Sequence, residues 1–97
     1  MDYKILIAED EFIEREYIEN LVEKKFPQIN KIMTASNGQE AVDLFLKEEA
    51  DVVLIDINMP IKNGLTALKE MKDKSKKTFV SIVLTSDGCW RTARRRI

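Results

Sequence analysis

Three apolar runs in this chain stop on side chains that can do chemistry. "ILIAED" ends on Glu9 and Asp10, "VVLID" on Asp56, and "IVLTS" on Thr85 and Ser86. If the runs are neighbouring strands, Glu9, Asp10 and Asp56 gather at one edge, where like charges raise one another's pKa unless a cation sits among them. The donors on offer are hard oxygens, and a few carboxylates with a backbone carbonyl and waters is the environment of Mg²⁺. The carbonyl of Asn58 is a further candidate ligand. A carboxylate is also a nucleophile toward phosphorus and gives an acyl phosphate, with a metal neutralising oxygens that would otherwise repel it. A hydroxyl of Thr85 or Ser86 on the same edge could then donate to an oxyanion carried by Asp56. Either acidic patch alone is equally well read as a helix cap or first-turn charge, as for Asp10 and Glu11. Two patches at the same end of adjacent strands favour the metal site, whereas "TS" alone carries little weight.

Several chemistries are excluded. The chain has no histidine, which removes Ser/His/Asp and Cys/His catalysis and the usual zinc sites. Its single cysteine, Cys89, cannot form an internal disulfide. The start, "MDYKILIAEDE", is too acidic and its apolar run too short for a signal peptide or a transmembrane helix, so a soluble cytoplasmic protein is expected. Sixteen basic residues against seventeen acidic give no electrostatic case for nucleic acid or an anionic membrane. Four of the five arginines, Arg91, Arg94, Arg95 and Arg96, lie in the last seven residues beside Cys89 and Trp90, a break in composition.

The elements that must position these residues follow from periodicity. Runs at 4–8, 31–35, 51–55 and 79–84 are short, rich in Ile, Val and Leu, and unalternated, as in strands buried on both faces of a parallel sheet. Helical patterns lie between them. In 11–26, Ile13, Tyr17 and Leu21 recur every fourth residue with Ile18, Val22 and Phe26 alongside, while Glu14, Arg15, Glu19 and Glu23 fall on other faces. Residues 38–48 carry Ala41, Leu44 and Phe45 after an Asn37-Gly38 start, and 64–74 carry Leu65, Leu68 and Met71. The resulting β-α-β-α-β-α-β order predicts a single α/β domain with a doubly wound open sheet, in which ligands bind beyond the carboxyl ends of the strands. "KDKSKK" reads as a solvated basic loop. After Leu84 the chain offers no fifth apolar run, so four strands are expected.

In sequence the chain resembles the receiver domain of two-component response regulators, from residue 3 to about 86. The resemblance is carried by "ILIAEDE", "ASNGQEAVDLF", "DVVLIDINMPIKNG" and "VLTS", in the family's order and spacing. It implies a flavodoxin-like fold with strand order 2-1-3-4. It also implies that Asp56 accepts a phosphoryl group from a histidine kinase, with Glu9 and Asp10 as the acidic pair, Asp10 the more direct Mg²⁺ ligand, and Asn58 lending its backbone carbonyl. Thr85 would be the switch hydroxyl. Pro60 and Gly64 would shape the loop after the third strand; Pro60 also ends that strand and Gly64 permits tight entry into the next helix. Asn63 stands where the family often has an acidic residue.

The likeness ends early. The family continues to a fifth strand with a lysine that contacts the phosphoryl oxygens and then to a fifth helix, whereas no lysine follows Lys77 here. Residues 87–97 read as an atypical tail on an incomplete receiver, from a frameshift, an appended segment or a truncated gene. Arg91 is the tail's candidate substitute cation, and a solvated tail is the better reading of it. With "FVSIVL" as an apolar edge strand, a homodimer by edge pairing or exchange of elements is expected. Three functions stand: a phosphoacceptor that is not itself an enzyme; a receiver-like interaction module deficient in phosphorylation; and an aspartate-nucleophile phosphatase, for which Asn58 is the wrong residue because it cannot act as the second acid. "AEDEFIEREYIENLV" is similar to receivers joined to helix-turn-helix outputs of the AraC type, so any DNA contact would belong to an output domain outside these residues.

Overall fold

The computed structural model describes residues 2–84 and the backbone of 90–92. Strands β1 (Tyr3–Ala8), β2 (Ile29–Ala35), β3 (Val52–Asp56) and β4 (Val80–Leu84) alternate with helices α1 (Phe12–Lys25), α2 (Gly38–Glu48) and α3 (Gly64–Lys74), and β5 (Trp90–Thr92) follows. The sheet order is β2-β1-β3-β4-β5. The first four strands are parallel, as the unalternated apolar runs require, because both of their faces are covered. Side chains of one strand point alternately to the two faces. Thus Leu6 and Ala8 join Val53, Ile55, Val42, Phe45, Leu68 and Met71 under α2 and α3. Ile5, Ile7 and Leu54 turn to the other face and meet Ile18 and Val22 of α1.

Caps fix where the helices begin. The Asn37 side chain accepts from the Glu40 amide at 2.8 Å, and the Glu40 carboxylate accepts from the Ser36 amide at 2.8 Å, a reciprocal arrangement that satisfies amides the helix cannot. Asn63 caps α3 in the same way, accepting from Thr66 N at 2.9 Å. An asparagine there supplies the acceptor an acidic residue would, so the departure costs the helix little.

Two expectations need correction. The stripe Ile13–Tyr17–Leu21 is not the buried face of α1: Ile13 is 78% and Tyr17 63% exposed, while Ile18 and Val22 are buried. Leu65, expected in the core, is also exposed, and Ala67 takes its place. One helix alone lies on the α1 face among the described residues. It leaves an apolar groove of about 730 Å³ beside it, lined by Tyr3, Ile5, Leu21, Phe26, Leu54 and Ile82 among others.

The second correction concerns the sheet edge. The sequence offers no fifth apolar run, yet Trp90–Thr92 pairs antiparallel to β4, with Leu84 opposite Trp90 and Ile82 opposite Thr92. Three residues can add to an edge through backbone hydrogen bonds without an apolar run. Trp90 and Thr92, an aromatic and a β-branched residue, are strand formers that the neighbouring arginines obscure. Arg91 falls on this strand, and its side chain lies outside the described residues.

Phe45, 1% exposed, is the largest fully buried side chain among the described residues and stacks at a tilt on Phe79 with ring centroids 4.6 Å apart. Phe45→Ala is expected to destabilise the fold by about 3–5 kcal/mol, read from the urea midpoint at unchanged slope.

Candidate functional site

Strand register builds the site. Ala8 of β1 lies opposite Ile55 of β3, so the chain leaves both strands at one level, with Glu9 and Asp10 on one side and Asp56 on the other. The order β2-β1-β3 makes this gap the switch point of the sheet, where consecutive connections depart in opposite directions and a crevice opens. One carboxylate oxygen from each of Glu9, Asp10 and Asp56 lies within 4.8 Å of the others. Glu9 is buried, Asp56 half-buried and Asp10 exposed, so the cluster runs from the protein interior to solvent.

Each group is held locally. The Glu9 amide extends the sheet by donating to the Ala35 carbonyl at 3.0 Å. Its carboxylate accepts from Glu11 N at 3.1 Å, and its carbonyl accepts from the Arg15 guanidinium at 2.7 Å. Arg15 also lies over the Phe12 ring, 5.6 Å from its centroid. Asp56 accepts from the Asn58 amide at 3.2 Å, which bends the chain after β3. Gly64 then approaches so closely that a Cβ there would stand 2.2 Å from the Asp56 carbonyl oxygen.

Sequence reasoning placed Arg15 on an outer face. Its hold on the Glu9 backbone was missed, and the available signal was its position one turn into the helix that follows the acidic pair. Thr85 and Ser86 lie outside the described residues, and the expectations for them are untested by the geometry.

The electrostatics separate this cluster from the other acids of the chain. Glu48 pairs with Lys31 at 3.0 Å, Asp51 with Lys77 at 2.7 Å, and Glu70 with Lys62 and Lys74. Hydrogen bonds from those lysines hold all three carboxyls below the ordinary range. Among the described residues, no lysine or arginine forms an ion pair with Glu9, Asp10 or Asp56. Burial, reinforced by the charges of Asp56 and Asp10, pushes Glu9 from 4.5 up to about 7, against the opposing hydrogen bond from the Glu11 amide. The donor set fits a small hard cation. Three carboxylates with an oxygen each within 4.8 Å of the others would supply the hard oxygen donors that Mg²⁺ takes.

The chain matches the family model of the response regulator receiver domain over residues 5–95, and it belongs to that family. It is 40% identical over 75 residues to a protein-glutamate methylesterase/protein-glutamine glutaminase of Colwellia psychrerythraea, covering 77% of this chain and 20% of that protein. It is 35% identical over 71 residues to an uncharacterised response regulatory protein of Staphylococcus epidermidis, covering 73% of this chain and 28% of that one. The chain therefore spans only a fifth to a quarter or so of the curated relatives it matches. Among solved structures it is similar to the receiver domain of AraT, a response regulator from Geobacillus stearothermophilus, with 36% identity and a TM-score of 0.79 over 88% of this chain and 65% of that one. It is likewise similar to the response regulator domain of Thermotoga maritima CheB, with 27% identity and a TM-score of 0.80 over 89% and 62% of the two chains. No helix among the described residues is long and apolar enough to cross a membrane.

The raised Glu9 carboxyl gives stability a definite pH dependence. Between 4.5 and about 7 the folded state holds a proton that the unfolded state has released, so this group's contribution falls as pH rises through that window and levels off above it. In chelator, the thermal midpoint of the wild type is expected to fall from pH 5 to pH 8 more steeply than that of Glu9→Gln. Parallel profiles in scanning calorimetry would count against the assignment.

Proposed function

We propose that this chain is a phosphoacceptor receiver: Asp56 takes a phosphoryl group from a histidine kinase, assisted by Mg²⁺ held by Glu9, Asp10, Asp56 and the Asn58 carbonyl. The observation that carries the reading is the convergence of three carboxylates from two segments at the switch point, with no lysine or arginine paired to them among the described residues. A bound Mg²⁺ would offset the mutual repulsion of these acids and of the incoming phosphoryl oxygens. Asp56, half-buried and tethered by the Asn58 amide, presents an oxygen for in-line attack on phosphorus. The P–O bond to Asp56 forms as the P–N bond of the phosphohistidine breaks, and the imidazole leaves with the bonding pair. Buried Glu9 must be deprotonated to contribute charge, and its hydrogen bond from Glu11 N favours that form.

Thr85 is proposed as the switch hydroxyl that donates to the phosphoryl group, shifting an equilibrium read by a partner. Family membership supports the kinase as partner and the cytoplasm as the location. It also supports a regulatory rather than catalytic role, although relatives bear methylesterase names. Residues 1–97 are read as one receiver unit, with 87–97 departing from the family pattern; control of transcription and contact with DNA would belong to an output domain outside it.

The second reading is a receiver-like interaction module without phosphotransfer, favoured by one specific feature. Residues 78–97 carry arginines and no lysine, so within them nothing matches in type the charged contact that the family makes to the phosphoryl oxygens, and a chain without that contact would transfer more slowly.

Acetyl phosphate with Mg²⁺, followed by intact mass, separates the two. One phosphoryl group that disappears in Asp56→Asn and without Mg²⁺ is expected; an unmodified wild type would favour the interaction module. Self-association is expected as well. Val80 is half-exposed at the start of β4, beyond the stretch that pairs with β5, and the groove beside α1 is apolar. Sedimentation velocity over a dilution series should show a dimer, and a monomer at the highest concentration would remove that expectation.

A further inference from the structure

The geometry points to Gly38 as a positioning residue for the metal-binding edge, acting from another element through the loop that carries Asn58. This rests on the Mg²⁺ reading above and adds a residue to it. Gly38 is the buried first residue of α2, and it lies against the backbone of Lys62 in the loop joining β3 to α3. A Cβ at Gly38 would stand 1.8 Å from the Lys62 carbonyl oxygen and 2.6 Å from its carbon, so the Lys62 backbone would have to move.

That loop has little freedom to absorb the movement. Lys62 N donates to the Pro60 carbonyl at 2.7 Å, closing a tight turn centred on Ile61 with φ 70. A γ-turn of positive φ is strained, and a β-branched residue is among the worst to place in it. Ile61 is 78% exposed, so no burial of its own side chain offsets the strain. The conformation is imposed from outside by three anchors. Gly38 forms a wall, the Lys62 ammonium pairs with Glu70 of α3, and Gly64 N donates to the Ile57 carbonyl at 2.8 Å. Between the anchors lies Asn58, whose amide holds Asp56 and whose carbonyl is the backbone ligand of the proposed site. Displacing Lys62 therefore displaces Asn58 and Asp56 relative to Glu9 and Asp10, which belong to a different strand.

The test uses Mn²⁺ binding by electron paramagnetic resonance together with amide exchange at Asn58 and Gly64. Gly38→Ala is expected to weaken Mn²⁺ binding by about 10- to 100-fold, the range for groups that orient ligands. It should also speed exchange of the Gly64 amide. Ile61→Gly in the Gly38→Ala background should restore part of the affinity, because a glycine at the turn lets the loop re-route; a purely structural loss would not be rescued there. Lys62→Met removes a different anchor and avoids the clash. It should weaken Mn²⁺ binding to a smaller extent, which keeps the test decisive if Gly38→Ala does not fold. Wild-type affinity and exchange in folded Gly38→Ala, or in Lys62→Met should Gly38→Ala not fold, would overturn the inference, as would a loss that Ile61→Gly leaves untouched. A wild type that binds no Mn²⁺ overturns the metal reading, and the role of Gly38 in holding the loop is then judged on amide exchange alone.

Discussion

Parallel pairing of β1 with β3 in one particular register is the constraint on which the site depends. Ile5 through Ala8 match Val52 through Ile55, and both strands are buried on both faces. A slip of one residue would exchange the two faces of β1, moving Leu6 and Ala8 away from α2 and α3 and Ile5 and Ile7 away from α1. Side-chain packing on two sides thus fixes the register, and the register sets three carboxylates side by side. Their repulsion is tolerated because it is small against the burial that holds the strands. The opposite end of the same strands shows what relief looks like. Asp51, one residue before β3, accepts from Lys4 N at 2.8 Å and pairs with Lys77, and its carboxyl is held low.

Much of this was legible in the sequence, for physical reasons that differ by element. Helices α2 and α3 begin and end at the residues read from periodicity, because Asn37-Gly38 and Asn63-Gly64 are explicit start signals and their apolar stripes face a broad core. The inner face of α1 was misjudged. Its i, i+4 series Ile13–Tyr17–Leu21 is as regular as a core stripe, but one helix crossing an open sheet buries only a narrow face, centred on Ile18 and Val22. Periodicity reports amphipathicity and cannot say which apolar edge the sheet will cover. β5 was missed because edge pairing through three backbone residues leaves almost no hydrophobic trace.

Within the site, Glu9, Asp10 and Asp56 could be found because strand ends are visible and carboxylates are conspicuous there. The supports could not. Arg15 acts through the carbonyl of Glu9, and Gly38 through the carbonyl of Lys62; contacts to backbone carry no residue-type signature. The positive φ of Ile61 was hidden for a stronger reason. Sequence rules would put Gly or Asn at such a position, so the tertiary contacts around Lys62 override local preference.

The graded burial of the cluster is itself part of how it can work. A site made only of exposed acids would be screened by water and salt and would bind a divalent ion weakly, while one of fully buried acids would hold protons instead of metal. Here Asp10 is exposed, Asp56 half-buried and Glu9 buried with a pKa near 7, so one member sits at the boundary between the two regimes. A cation approaching from the Asp10 side would meet charge first and low dielectric second. Glu9 would have to give up a proton to act as a ligand, so any cation held there would be linked to the ionisation of the deepest member of the cluster. The strand register that makes the acids repel is the same feature that would let them converge on an ion, and the apolar core beneath holds the strands that carry them.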